Sequence, residues 1–140
     1  MRFWDASAIV PLILQEAGST ALAAAALEHD MFVWWGTVAE VASAVARLER
    51  NGALTHDQVE VCLSRLDELC AEWAEVVPTD ALRDLARRKL RMHVLKAADS
   101  LQLAAALTLA RDEPGRLEFV CGDSRLAAAA AREGLRVRAA

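Results

Sequence analysis

The stretch "EFVCGDSRLAAAAAREGLRVR", residues 118–138, decides the fold. The short apolar run "EFVC" reads as a buried strand, and Gly122 and Asp123 break it at once. An alanine-rich helical pattern from Ser124 to Glu133 follows, and Gly134 stands where a helix needs a left-handed C-cap. The chain then re-enters a strand-like run at "RVR". Two strands joined through a helix pair in parallel by a right-handed crossover, so this segment predicts a parallel sheet covered by helices.

The same grammar extends back to the start. "RFW" before Asp5, "MFVWW" at 31–35 and "EVV" at 75–77 read as further strands. Between the strands, helical patterns run from Ala6 to Leu14, Thr20 to Glu28, Val38 to Asn51, His56 to Trp73, Asp80 to Leu90 and Asp99 to Arg111. "TVAE" at 37–40 and "THDQ" at 55–58 carry capping-box spacing, and Gly52 marks another C-cap. The expected architecture is α/β: a three-layer sandwich with a small, mainly parallel central sheet flanked by helices, in one domain over residues 1–140.

Composition narrows the function. Sixteen basic against twenty acidic side chains give a net charge of -4, so no global field draws a polyanion. No stretch approaches the roughly 20 apolar residues of a membrane span, and "AIVPLIL" lacks the flanks of a secretory signal, so a cytoplasmic location is expected. Cys62, Cys70 and Cys121 form an odd set without CxxC spacing, which disfavours a disulfide framework or thiolate metal site. They are expected to be small core residues.

Four acids stand at strand exits or helix starts: Asp5, Glu40, Asp99 and Asp123. Each alone suits a helix cap or the first turn. As a set they suggest more, because ligands of an open parallel sheet bind beyond the carboxyl ends of its strands. Carboxylates sharing such a crevice repel one another and raise each other's pKa unless a cation neutralises them. With only hard oxygen donors, that cation would be Mg2+ or Mn2+.

"FWDASAIVPLI" (3–13), "TVAEVASAVARLE" (37–49), "LKAADSLQLAAAL" (95–107) and "FVCGDSRLAAAAAREGLRV" (119–137) resemble, in order and over nearly the whole chain, the four motifs of PIN-domain ribonucleases, most closely VapC-type toxins. The resemblance implies an endoribonuclease that is the toxin of a toxin-antitoxin pair, with Asp5, Glu40, Asp99 and Asp123 as its acidic quartet. Asp5 and Asp99 would be primary metal ligands. Glu40 would act through water or help deprotonate the attacking water, Asp123 would serve a second metal or outer shell, and Ser7 would support the site. It further implies a homodimer and a VapB-like antitoxin partner. Gln102 and Cys121 depart from the family pattern, which often has His and Thr there. The alternative is a PIN-like RNA-binding or protein-interaction module without activity, which loss of an acid would favour.

Other acid-bearing parallel folds fit less well. A phosphorylatable receiver domain needs an adjacent acidic pair after the first strand, and "FWDAS" supplies one acid. A haloacid-dehalogenase-type phosphatase needs Asp where Ser7 stands. Arg83, Arg87, Arg88, Lys89, Arg91 and Lys96 crowd positive charge ahead of Asp99, and Arg87, Arg88, Arg91 and Lys96 are expected to meet RNA phosphates, with Leu85 and Leu90 on the buried face. His93, a lone histidine of a kind more often structural than catalytic, is assigned no chemistry. The tryptophans Trp4, Trp34, Trp35 and Trp73 are expected to be structural, the Trp34–Trp35 pair as core and subunit interface.

Overall fold

The structure, a computed structural model, describes residues 1–15, 19–28 and 30–140. Among the described residues, five strands, β1 (Arg2–Trp4), β2 (Met31–Trp34), β3 (Ala74–Val76), β4 (Glu118–Cys121) and β5 (Arg136–Ala139), pair in the order β3-β2-β1-β4-β5. Every pairing is parallel. Seven helices connect them among the described residues: α1 (Ala6–Leu14), α2 (Ser19–Glu28), α3 (Thr37–Arg50), α4 (His56–Cys70), α5 (Asp80–Met92), α6 (Ala97–Ala110) and α7 (Ser124–Arg132).

Period-two side-chain alternation divides the core in two. Phe3, Trp34 and Phe119 face α5, α6 and α7, whereas Trp4, Val33 and Val120 face α1 to α4. The three expected layers are therefore α1–α4, sheet, and α5–α7. Central strands β1, β2 and β4 are buried on both faces, while edge strands β3 and β5 are largely exposed. The chain steps from β1 to β2 and β3 through helices on one face, then returns to β4 and β5 through helices on the other. Right-handed crossovers require that change of face when the direction of travel reverses. The topological switch point thus lies between β1 and β4.

Local signals mostly hold. Thr55 and Gln58 form the expected capping box, and Gly52 and Gly134 have positive φ values of 73° and 86°. "TVAE" does not form its box: Gly36 takes the N-cap position without a side-chain bond, and Thr37 is buried one residue inside α3. Glu40 is turned away from that cap by a bond to Gln102. Trp4, Trp34 and Trp73 are buried, but Trp35 lies 56% exposed at the carboxyl end of β2 and does not enter the core. The three cysteines are free, with Cys70 only half-buried. No helix among the described residues is long and apolar enough to cross a membrane.

Candidate active site

Asp5 directly follows β1 and N-caps α1. Its N–H still bonds Val120 O on β4 at 3.0 Å, so strand pairing fixes its backbone at the switch point. Its Oδ2 accepts from Ser7 N–H at 2.9 Å and from the Ser7 hydroxyl. Ser7 Oγ in turn accepts from Gly122 N–H at 2.8 Å, which ties the end of β1 to the loop leaving β4. A side chain at Gly122 would bring its Cβ to 3.3 Å from Ser7 O, so glycine permits that approach. Asp123, next in the chain, N-caps α7 through Oδ1, which accepts from Arg125 and Leu126 N–H, both at 2.9 Å.

The other two acids come from opposite layers. Glu40 lies in the first turn of α3, where the buried Gln102 of α6 donates from Nε2 to Glu40 Oε1 and to Thr37 Oγ1, both at 3.1 Å. Asp99 sits in the first turn of α6, with Oδ2 accepting from Lys96 N–H at 3.2 Å. All four acids line one cleft of about 400 Å3 together with Ser7. The capping reading and the site reading are therefore compatible for Asp5, Asp99 and Asp123. One oxygen anchors each cap, and Glu40 Oε2, Asp99 Oδ1 and Asp123 Oδ2 take no hydrogen bond among the described residues.

Electrostatics binds three of the four into a unit. Burial raises the Asp5 carboxyl, its Ser7 bonds oppose that, and Asp99 repulsion adds to the rise. Glu40 is pushed up to about 7 by burial and by the charges of Asp5 and Asp99, against a lowering from Gln102. Beneath them, the Cys121 thiol is pushed up to about 12 by burial and by Asp5, so it is a protonated packing group at neutral pH. Its Sγ receives Asp123 N–H at 3.3 Å, which orients the loop that carries Asp123.

No three Asp, Glu, His or Cys side chains among the described residues are grouped closely enough to hold an ion as they stand. The donor set nonetheless fits Mg2+ or Mn2+. Magnesium keeps several waters and takes only one or two carboxylates directly, so spaced carboxylates with unengaged oxygens suit a hydrated ion. Burial does most to push Glu40 up to about 7, and the repulsion from Asp5 and Asp99 that adds to it is what such a charge would relieve.

The basic run resolves into separate parts. Arg87, Arg88, Arg91 and Lys96 are exposed, with Arg87 3.4 Å from Asp84, but none of them lines the acidic cleft. Leu90 is 40% exposed, so the buried face of α5 is carried by Leu82 and Ala86 with Leu85 beside them. Lys89 turns inward to Glu133 at 2.6 Å, where His93 Nε2 also lies 2.7 Å from the carboxylate. His93 is thus engaged with Glu133 and does not line the acidic cleft. Among the described residues, the cation that lines the cleft is Arg47 of α3, which sequence reading missed. Its spacing from Glu40, i to i+7 on one helical face, was the available signal.

No protein-family profile matches the chain. Two curated relatives from Mycobacterium tuberculosis do match: Ribonuclease VapC45 of strain CDC 1551 / Oshkosh and Ribonuclease VapC49 of strain ATCC 25618 / H37Rv. Each is 31% identical over 141 residues, covering 96% of this chain and 92% of the relative. Among solved structures, VapBC2 from Rickettsia felis, bound to a DNA fragment from its promoter, aligns with a TM-score of 0.67 at 9% identity, covering 99% of this chain and 98% of that one. FitAcB from Neisseria gonorrhoeae aligns with a TM-score of 0.66 at 17% identity, over 98% and 96%. These two likenesses bear out the fold.

Proposed function

Because the chain belongs to the VapC family of ribonucleases, we propose that its acidic cleft hydrolyses RNA phosphodiester bonds with the help of Mg2+ or Mn2+. The observation that carries this reading is the convergence of Asp5, Glu40, Asp99 and Asp123 on one cleft at the switch point. A binding module without activity has no need of four acids there. When bound, the divalent ion supplies Lewis acidity towards the phosphate and the attacking water. Asp5, locked by Ser7, and Asp99, fixed by the α6 cap, would hold it. Glu40 holds a water through Oε2 and receives its proton, with Gln102 fixing the other oxygen. Asp123, exposed at the cleft, would serve in the outer shell or at a second ion.

The test is cleavage of single-stranded RNA by wild type, Asp5→Asn and Asp99→Asn, with Mg2+ and with chelator. Both variants are expected to fold and to lose cleavage, and chelation is expected to silence the wild type. Full cleavage by Asp5→Asn would remove the site assignment, and full cleavage in chelator would remove the metal.

The same reading includes a VapB-like antitoxin, a homodimer and a cytoplasmic site of action. A second cleft of about 790 Å3 between α1, α2 and α4 supports the antitoxin, lined by apolar Leu12, Ile13 and Leu69, by the acids Glu68 and Glu72 beside Arg65, and by Glu28, which Arg2 already pairs. That combination suits an amphipathic helix with a basic border. Helix α1 also walls the acidic cleft through Val10 and Pro11, so the two clefts share a helix, and an antitoxin that follows α1 out of the groove would inhibit by covering the active site. Unaltered cleavage in a saturated complex would refute inhibition of this kind. The dimer is checked by light scattering at micromolar protein, where the mass of a single chain would refute it.

A further inference from the structure

We infer that Arg47 grips the RNA backbone inside the cleft, holding a phosphate next to the one that is cleaved. The inference rests on the ribonuclease reading above and concerns how this cleft binds its substrate. Glu40, Ala44 and Arg47 line the cleft from α3. Their i, i+4, i+7 spacing puts them on a single stripe, and a rise of about 1.5 Å per residue sets Arg47 roughly 10 Å beyond Glu40 along the helix. Between them Ala44 leaves room, and Val10 and Pro11 of α1 form an apolar wall. The cleft is therefore a trough with carboxylates at one end and a guanidinium at the other.

Arg47 is exposed and has no ion-pair partner within 4.0 Å among the described residues, although four acids share its cleft. Arg2, Arg83, Arg87 and Arg116 each have a carboxylate partner, and Arg65 donates to Ile13 O. Among the described residues, exposed arginines such as Arg50, Arg88 and Arg91 are as unpaired as Arg47, and what sets Arg47 apart is that it lines the acidic cleft while they do not. Arg47 thus keeps its five donors for something that enters. A phosphodiester fits: it is anionic, it must approach a crevice that repels anions wherever the metal does not screen it, and its oxygens match the guanidinium fork. A strand running along the trough meets two positive poles, the metal-holding end at the scissile phosphate and Arg47 at a neighbouring one.

A bland role competes. Arg47 lies in the last turn of α3, where a cation favours the helix dipole. That role would change stability and leave RNA handling untouched, whereas phosphate binding would do the reverse. The experiment compares wild type, Arg47→Gln and Arg47→Lys for steady-state cleavage of a single-stranded oligoribonucleotide in Mg2+. It also measures anisotropy of the same labelled RNA in chelator across a salt series, and Mn2+ binding by calorimetry. Arg47→Gln is expected to raise KM about tenfold with kcat within about threefold, the size of losing one charged bidentate contact. Its salt dependence should flatten by about 0.7 log units for the lost contact, and Arg47→Lys should restore the slope but only part of the affinity. Mn2+ affinity should hold or rise, since a like charge has been removed. Unchanged KM and salt slope in Arg47→Gln, beside a wild type that cleaves RNA, would overturn the inference. So would an equal loss of Mn2+ binding, which would place Arg47 in the architecture of the metal site. A wild type that neither binds nor cleaves RNA would instead overturn the ribonuclease reading.

Discussion

Replacing Glu40 by Gln should make the metal-free protein more stable, by an amount that grows with pH. Glu40 has a folded pKa of about 7 against an ordinary 4.5, caused by burial and by the charges of Asp5 and Asp99. A raised carboxyl pKa means that the fold binds this proton more tightly than the unfolded chain does. Stability is therefore greatest with Glu40 protonated, falls as pH rises from about 4.5 to about 7, and carries the full penalty above that. Converted directly, the shift is worth about 3 kcal/mol, but Glu40 is only half-buried, and solvent screening reduces the expected effect to about 1–2 kcal/mol. Gln is neutral at every pH and keeps an oxygen for the Gln102 donor, so the bond at 3.1 Å survives. The assay is urea unfolding of both proteins in chelator at about pH 5 and about pH 8, read as a change in midpoint at constant slope. Near-equal stability at the lower pH and a gain of about 1–2 kcal/mol for Glu40→Gln at the higher one are expected. Saturating Mn2+ should shrink or reverse the gain, because the ion binds the wild-type fold more tightly. If Glu40→Gln were no more stable than wild type at the higher pH in chelator, the crowding of Asp5, Glu40 and Asp99 would be refuted.

Ser7→Ala removes the hydroxyl between Asp5 Oδ2 and Gly122 N–H. Because Gly122 is exposed, water can take its N–H, so the stability loss should be only about 1 kcal/mol by thermal unfolding, while calorimetric Mn2+ affinity drops. Wild-type metal affinity in this variant would dismiss the supporting role of Ser7. Replacing Arg87, Arg88 and Arg91 together by Gln should weaken RNA binding without altering sequence preference, flattening the salt dependence by up to roughly 0.7 log units per lost phosphate contact. An unaltered slope would make this face of α5 a solvated surface and leave RNA to the cleft.

What the sequence determined by itself was everything encoded in short range. Apolar runs broken at Asp5 and Gly122 marked strand ends, alanine and leucine spacing marked helices, and Thr55, Gly52 and Gly134 marked their limits, because caps and periodicity are properties of adjacent residues. The same locality misled at "TVAE", where spacing suited a capping box but Glu40 is bound by a residue 62 positions away. The four acids were legible as a set because each stands at an element end. Their meeting in one cleft, with Ser7 bridging to Gly122, was decided by the reversal of chain direction at β1 and β4. Likewise, no local pattern tells that Lys89 points to Glu133, or that Trp34 is covered and Trp35 is not, and the helical spacing that sets Arg47 on the Glu40 face becomes informative only once that face is known to line the cleft. A helical basic residue is free to face solvent, a carboxylate or a ligand, and only the packing of one layer against another removes that freedom.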